Sequence, residues 1–148
     1  MSSFLYNSLM KAPTGTGSPV ILYDGACNLC RAQAVNMHRL GRGRVEVGPL
    51  QVLAERHPTL DPDEVRREIK LIDADGSVRG GVDALLRLAE LGRPWLGRPL
   101  RRCYELPGLG SLADRAYAWV ARNRYRWFGR NEACKDGTCA LHGDEAHR

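Results

Sequence analysis

Cys27 and Cys30 stand at C-x-x-C spacing in the run Tyr23-Asp24-Gly25-Ala26-Cys27-Asn28-Leu29-Cys30. Two thiols one helical turn apart can close a short disulfide ring. β-Formers precede the run and a helical pattern follows it, which puts the pair at a strand-to-helix junction and makes it a redox candidate. There Cys27 begins a helix, where backbone N–H groups and the helix dipole stabilise a thiolate. Disulfide exchange needs one thiolate to attack and a second thiol to resolve the mixed disulfide. Cys27 is the expected attacker, the more exposed of the two and lowered in pKa. Cys30, on an inward stripe with Ala34 and Met37, is the expected resolver. Asp24, three residues before Cys27, cannot activate it, because an anion raises the pKa of a thiol nearby. Two roles stay open for Asp24: proton acceptor or relay for Cys30, and Asx turn or helix cap. The Asn28-Leu29 dipeptide holds neither proline nor histidine, so a reductase-like poise is expected.

Other residues compete for chemistry. Cys134, Cys139, His142 and His147 have the spacing C-x4-C-x2-H-x4-H, with ligand types suited to zinc. The same two cysteines could instead form a second redox pair that exchanges with the first, join Cys27 and Cys30 in a four-thiolate zinc site, or be incidental thiols of an exposed tail. Cys103, beside Tyr104, reads as a small core residue. Asp73, Asp75 and Gly76 lack the other ligands of a calcium loop and read as a turn. His38 and His57 read as surface residues.

The elements that must position the pair fit one domain. The chain has 148 residues, 43% of them apolar, and five cysteines, an odd number that argues against a closed disulfide framework. No apolar run approaches the ~20 residues that span a bilayer. The first residues are too polar for a secretory segment, so a cytoplasmic protein with persistent free thiols is expected. The net charge of +5 comes from 19 Arg and 3 Lys against 17 acids. Because these residues are dispersed instead of clustered, no nucleic-acid partner is expected.

Residues 1–18 read as a flexible leader, 19–131 as the domain and 132–148 as a polar tail. Within the domain, 20–23 reads as a buried strand and 27–40 as a helix stopped by Gly41. A strand over 44–47, ended by Gly48-Pro49, precedes a short helix over 50–56 and a loop marked by Pro58 and Pro62. Residues 69–72 and 77–79 form a hairpin around Asp75-Gly76, and Asp83 caps a helix over 84–91. The order β-α-β-α-β-β-α is that of a thioredoxin-like α/β fold. A C-terminal helical extension follows, punctuated by Pro94, Pro99 and Pro107. Its long helix over 111–128 carries Leu112, Ala116, Trp119, Val120 and Trp127 on the face expected to pack. Arg115, Arg122 and Arg126 are expected in water, and membrane contact is not expected.

Asp24 through Cys30 resembles the signature of the DCC family of predicted thiol-disulphide oxidoreductases, named for that Asp and those two Cys. Three later segments agree: Gly48-Pro49-Leu50-Gln51, Gly80-Gly81-Val82-Asp83-Ala84-Leu85, and Tyr117 through Asn123-Arg124-Tyr125-Arg126. The resemblance covers about residues 19–134. It implies a thioredoxin-like fold and protein-disulfide reductase activity on a disulfide-containing protein or small thiol, with Asp24, Cys27 and Cys30 as the site and no cofactor. Thioredoxins place a cis-proline before the third strand, facing the cysteines. Here Arg66, Arg67 and Glu68 precede Ile69, so the substrate groove must be built differently. The alternative is a zinc-binding or partner-binding module without redox catalysis.

Overall fold

The computed structural model describes residues 17–130; residues 1–16 and residues 131–148, with Cys134, Cys139, His142 and His147, lie outside the described residues. Four strands, β1 (Val20–Tyr23), β2 (Glu46–Pro49), β3 (Lys70–Ile72) and β4 (Val78–Gly80), form one sheet in the order β2-β1-β3-β4. β1 is parallel to β2 and antiparallel to β3, and β3 is antiparallel to β4. This is the thioredoxin-like arrangement: a βαβ unit joined to a ββα unit along the central pair. Helix α1 (Asn28–Gly41) crosses from β1 to β2, and α4 (Gly81–Gly92) follows β4. α5 (Pro94–Tyr104) and α6 (Leu109–Phe128) form the C-terminal extension.

The alternation of β1 divides the core. Ile21 and Tyr23 face α1 and α4 with Met37, Leu71, Ala84 and Leu88, whereas Val20 and Leu22 face the other side with Leu50, Leu53, Val65 and Ile72. On that second side lie α2 (Leu50–Leu53), a 3₁₀ turn (Ala54–Arg56) and α3 (Pro62–Arg67).

Several local expectations change. Gly41 does not stop α1; it is the last buried residue of the helix, and Arg42 (φ 51°) makes the left-handed exit. A Cβ at Gly41 would stand 3.2 Å from Leu88 and 3.3 Å from Val45, so the glycine serves close packing. β2 runs through Gly48 and Pro49, since an edge strand tolerates proline. Pro62 opens α3 at its first turn, capped by Asp61, whose side chain accepts the Asp63 N–H at 2.9 Å. Asp83 is no cap: α4 starts at Gly81 after Gly80, and Asp83 pairs with Arg79 and Arg101. Cys103 is exposed, and α5 continues through Pro99. His57 is buried, with its charged form disfavoured chiefly by that burial.

The largest correction concerns α6. Trp119 (55% exposed), Trp127 (47%) and Leu112 (63%) face outward, the two indoles edge to face at 4.7 Å. Val120 packs inward as expected, but with Tyr117, Ala121, Arg124 and Tyr125 in place of the tryptophans. Tyr117, Arg124 and Tyr125 find polar partners there: the Ile69 N–H, the carbonyls that end α3 and the Asp24 carboxylate. No described helix is long and apolar enough to cross a membrane.

Candidate active site

Cys27 is the N-cap of α1, in extended backbone conformation, so its sulfur turns back over the first turn. That sulfur accepts the Cys30 backbone N–H at 3.2 Å and the Cys30 S–H at 2.7 Å. An orphan N–H of the helix start is thereby satisfied by a thiol. Both cysteines are free. Cys27 is held down to about 7 from 9.0, first by the S–H bond from Cys30, against burial, and further by the Cys30 N–H and the Arg124 charge. Cys30 is pushed up, first by donating that bond and then by burial. Asp24 raises both thiols, as its charge dictates.

The expected exposure is reversed. Cys27 is 0% exposed and Cys30 8%. The chain leaving α6 crosses Cys27: Arg130 forms an antiparallel bridge with it, and Asn28 Nδ2 donates to the Phe128 carbonyl at 2.9 Å. Gly129 (φ 74°) makes the bend that brings this strap down.

Asp24 is buried and makes the Asx turn, accepting the Ala26 N–H at 3.0 Å. Gln51 Nε2 donates to the same oxygen at 3.2 Å, while its own Oε1 accepts the Gly25 N–H at 3.0 Å. The other oxygen accepts the Tyr125 hydroxyl and stands 3.5 Å from the Arg124 guanidinium. Arg124, 4% exposed, also donates to the carbonyls of Arg66 and Arg67. These are last-turn acceptors of α3, which a cation is suited to cap. Two guanidinia lie over the Tyr125 ring, Arg124 at 4.8 Å and Arg130 at 4.3 Å from its centre. Arg124, Tyr125 and Gln51 join the candidate site around Asp24; in the sequence they stand in the segments that carry the family resemblance, with no role assigned to them. The spacing of Tyr117, Ala121, Arg124 and Tyr125 on one helical face was the available signal.

No cis peptide occurs among the described residues. At the entry to β3, Ile69 N–H donates to the Tyr117 hydroxyl at 3.0 Å, and Ile69 C=O accepts the Gly81 N–H at 3.0 Å. α6 thus occupies the ground where a substrate groove was expected. Beside Cys30, between α1 and α6, lies a mainly apolar cavity of about 270 Å³, walled by Leu29, Met37, Ile69, Leu85 and Val120.

A family model described as DCC1-like thiol-disulfide oxidoreductase matches residues 21–130. The chain belongs to that family. The DCC1-like match begins in β1, ends at the strap residue Arg130 and includes every site residue described above. No curated protein and no solved structure matches the chain. The DCC1-like family name carries thiol-disulfide exchange as its class of chemistry, with thiols or disulfides as the class of substrate. Among the described residues no cluster of three His, Cys, Asp or Glu side chains could hold a metal ion. The zinc arrangements that draw on Cys134, Cys139, His142 or His147 fall outside those residues.

Proposed function

We propose that this protein is a thiol-disulfide oxidoreductase of the protein-disulfide reductase type, with Cys27 attacking and Cys30 resolving. The observation that carries the reading is the sulfur of Cys27 at the α1 N-cap, receiving both the N–H and the S–H of Cys30. Charge on that sulfur is favoured, while the proton stays on Cys30. The Cys27 thiolate attacks one sulfur of a substrate disulfide, forming a mixed disulfide and expelling the other sulfur as a thiolate. Cys30 then gives up its proton and attacks Cys27. The second substrate sulfur leaves, the Cys27–Cys30 disulfide closes, and the substrate has gained two electrons.

Asp24 accepts the Cys30 proton in that second step, since its charge acts on both thiols. It also holds Arg124 beside them. Because Cys27 is covered, the strap at residues 128–130 must lift before substrate reaches the sulfur. The reductase direction suits a reducing, cytoplasmic setting.

Trapping tests the reading. The Cys30→Ser variant, incubated with a protein disulfide such as insulin, should accumulate mixed disulfides through Cys27, detectable on non-reducing gels. The Cys27→Ser variant should accumulate none. If neither variant traps a partner and the wild type reduces no disulfide, the proposal fails.

A further inference from the structure

The outward face of α6 takes no part in the chemistry of Cys27 and Cys30. Leu112, Ala116, Trp119 and Trp127 recur on it at helical spacing, all of them exposed. Arg115, Arg122 and Arg126, also exposed, form a second row beside the first. Asp114 is the one acid in α6, and it is engaged with α5, where it accepts the Tyr104 hydroxyl at 2.9 Å. Among the described residues the three arginines enter no ion pair. The charge is also less even than its spread along the chain suggests. Residues 93–130 hold nine arginines against Glu105 and Asp114, a surplus of seven where the whole chain carries +5. Arg101 and Arg124 are taken up by acids outside that span, whereas the row on α6 is left for an anionic partner.

The shape of the face narrows the choice of partner. It is the convex flank of a helix, and its two indoles stand edge to face at 4.7 Å as a ridge. A bilayer surface takes such a ridge without a matching groove, because headgroups part around it. Indole suits that depth, with an apolar body and one N–H. Base stacking would use the indoles but offers Leu112 nothing. We propose that α6 lies along an anionic phospholipid surface. Leu112, Trp119 and Trp127 enter the headgroup layer, and Arg115, Arg122 and Arg126 pair with lipid phosphates. The expectation of no membrane contact rested on those tryptophans packing inward, and α6 is turned the other way. The inference is independent of any reaction at Cys27 or Cys30.

The test sediments the full reduced chain, at low ionic strength, with vesicles of phosphatidylglycerol and phosphatidylcholine in equal parts and with vesicles of phosphatidylcholine alone. The wild type should pellet with the anionic vesicles and not with the neutral ones, and its tryptophan emission should shift to the blue. Each basic residue at an anionic surface strengthens binding about fivefold. Arg115→Gln/Arg122→Gln/Arg126→Gln should therefore lower the partition coefficient about a hundredfold. Trp119→Ser/Trp127→Ser keeps the charge and should weaken binding about tenfold and abolish the shift. Both variants alter exposed side chains, and circular dichroism checks that each folds. Wild type left in the supernatant with anionic vesicles overturns the proposal, and binding that neither variant weakens overturns it for α6. Two further results would reassign the face, each with vesicles ignored. A single-stranded oligonucleotide bound through the same residues makes it a nucleic-acid surface. A dimer that Trp119→Ser/Trp127→Ser dissociates makes it a contact between copies of this chain.

Discussion

Most of the acidity of Cys27 comes from its neighbour. The S–H of Cys30 is the largest influence holding Cys27 to about 7, ahead of the helix-start N–H and the Arg124 charge. The thiolate population therefore rises as pH increases through about 7, two units below an ordinary thiol at 9.0. Thiolate absorbance at 240 nm, taken as wild type minus Cys27→Ser, should show one transition near pH 7. Cys30→Ala removes the donor, so the Cys27 midpoint should move up toward the ordinary value. A Cys27 midpoint unmoved by Cys30→Ala would assign the acidity to the helix and Arg124 instead. Asp24 works in the opposite direction on both sulfurs, and its buried position is made tolerable by Ala26, Gln51, Tyr125 and Arg124.

At the scale of elements, α6 completes the site. Its Arg124 joins three parts at once: the carbonyls that end α3, the carboxylate that follows β1, and the field around the thiols. Arg124→Met would keep the apolar stem but leave Asp24 buried without its countercharge. Loss of one partner of a buried pair costs about 3–5 kcal/mol, which urea denaturation followed by tryptophan fluorescence would register. Lysine cannot restore the arrangement, because its single ammonium lacks the forked donors that reach several acceptors.

The cysteine pair, the βαβ order and the hairpin were legible because each has a local signature: C-x-x-C after β-formers, an unbroken apolar run along Val20–Tyr23, and Asp75-Gly76 in a turn. The inward face of α6 was not. Hydrophobicity favours turning Trp119 and Trp127 inward, yet the interior of this junction holds a carboxylate and two carbonyls that need donors. Tertiary polar demand, which has no period in the sequence, set the rotation of the helix. The role of Gly41 was hidden for a similar reason, since it is set by a neighbouring helix. A Cβ at Gly92 would fall 1.8 Å from the Leu40 carbonyl, so the pair of glycines lets α1 and α4 meet.

For the molecule as a whole, the proposed reactivity requires an opening equilibrium as well as acid–base chemistry, because Cys27 is covered. The strap is tied by the Cys27–Arg130 bridge, the Arg130–Tyr125 contact and the Asn28–Phe128 hydrogen bond. Removing that last bond with Asn28→Ala, at about 1 kcal/mol for a hydrogen bond, should raise the fraction of open molecules. Iodoacetamide alkylation of Cys27, followed by mass spectrometry in the reduced protein, should then run about fivefold faster. An unchanged rate would mean that the strap is not what shields the sulfur.

Ile69 has a consequence for substrate choice. Its N–H is taken by the Tyr117 hydroxyl and its carbonyl by Gly81. An extended polypeptide arriving at the mouth of β3 therefore finds no main-chain donor or acceptor at Ile69 with which to align itself. Strand addition, which reads any sequence alike because every peptide offers the same backbone, is closed at this position. On the proposed reading, a disulfide-bearing chain that arrives there must be held by side-chain shape and charge instead of by strand pairing at Ile69.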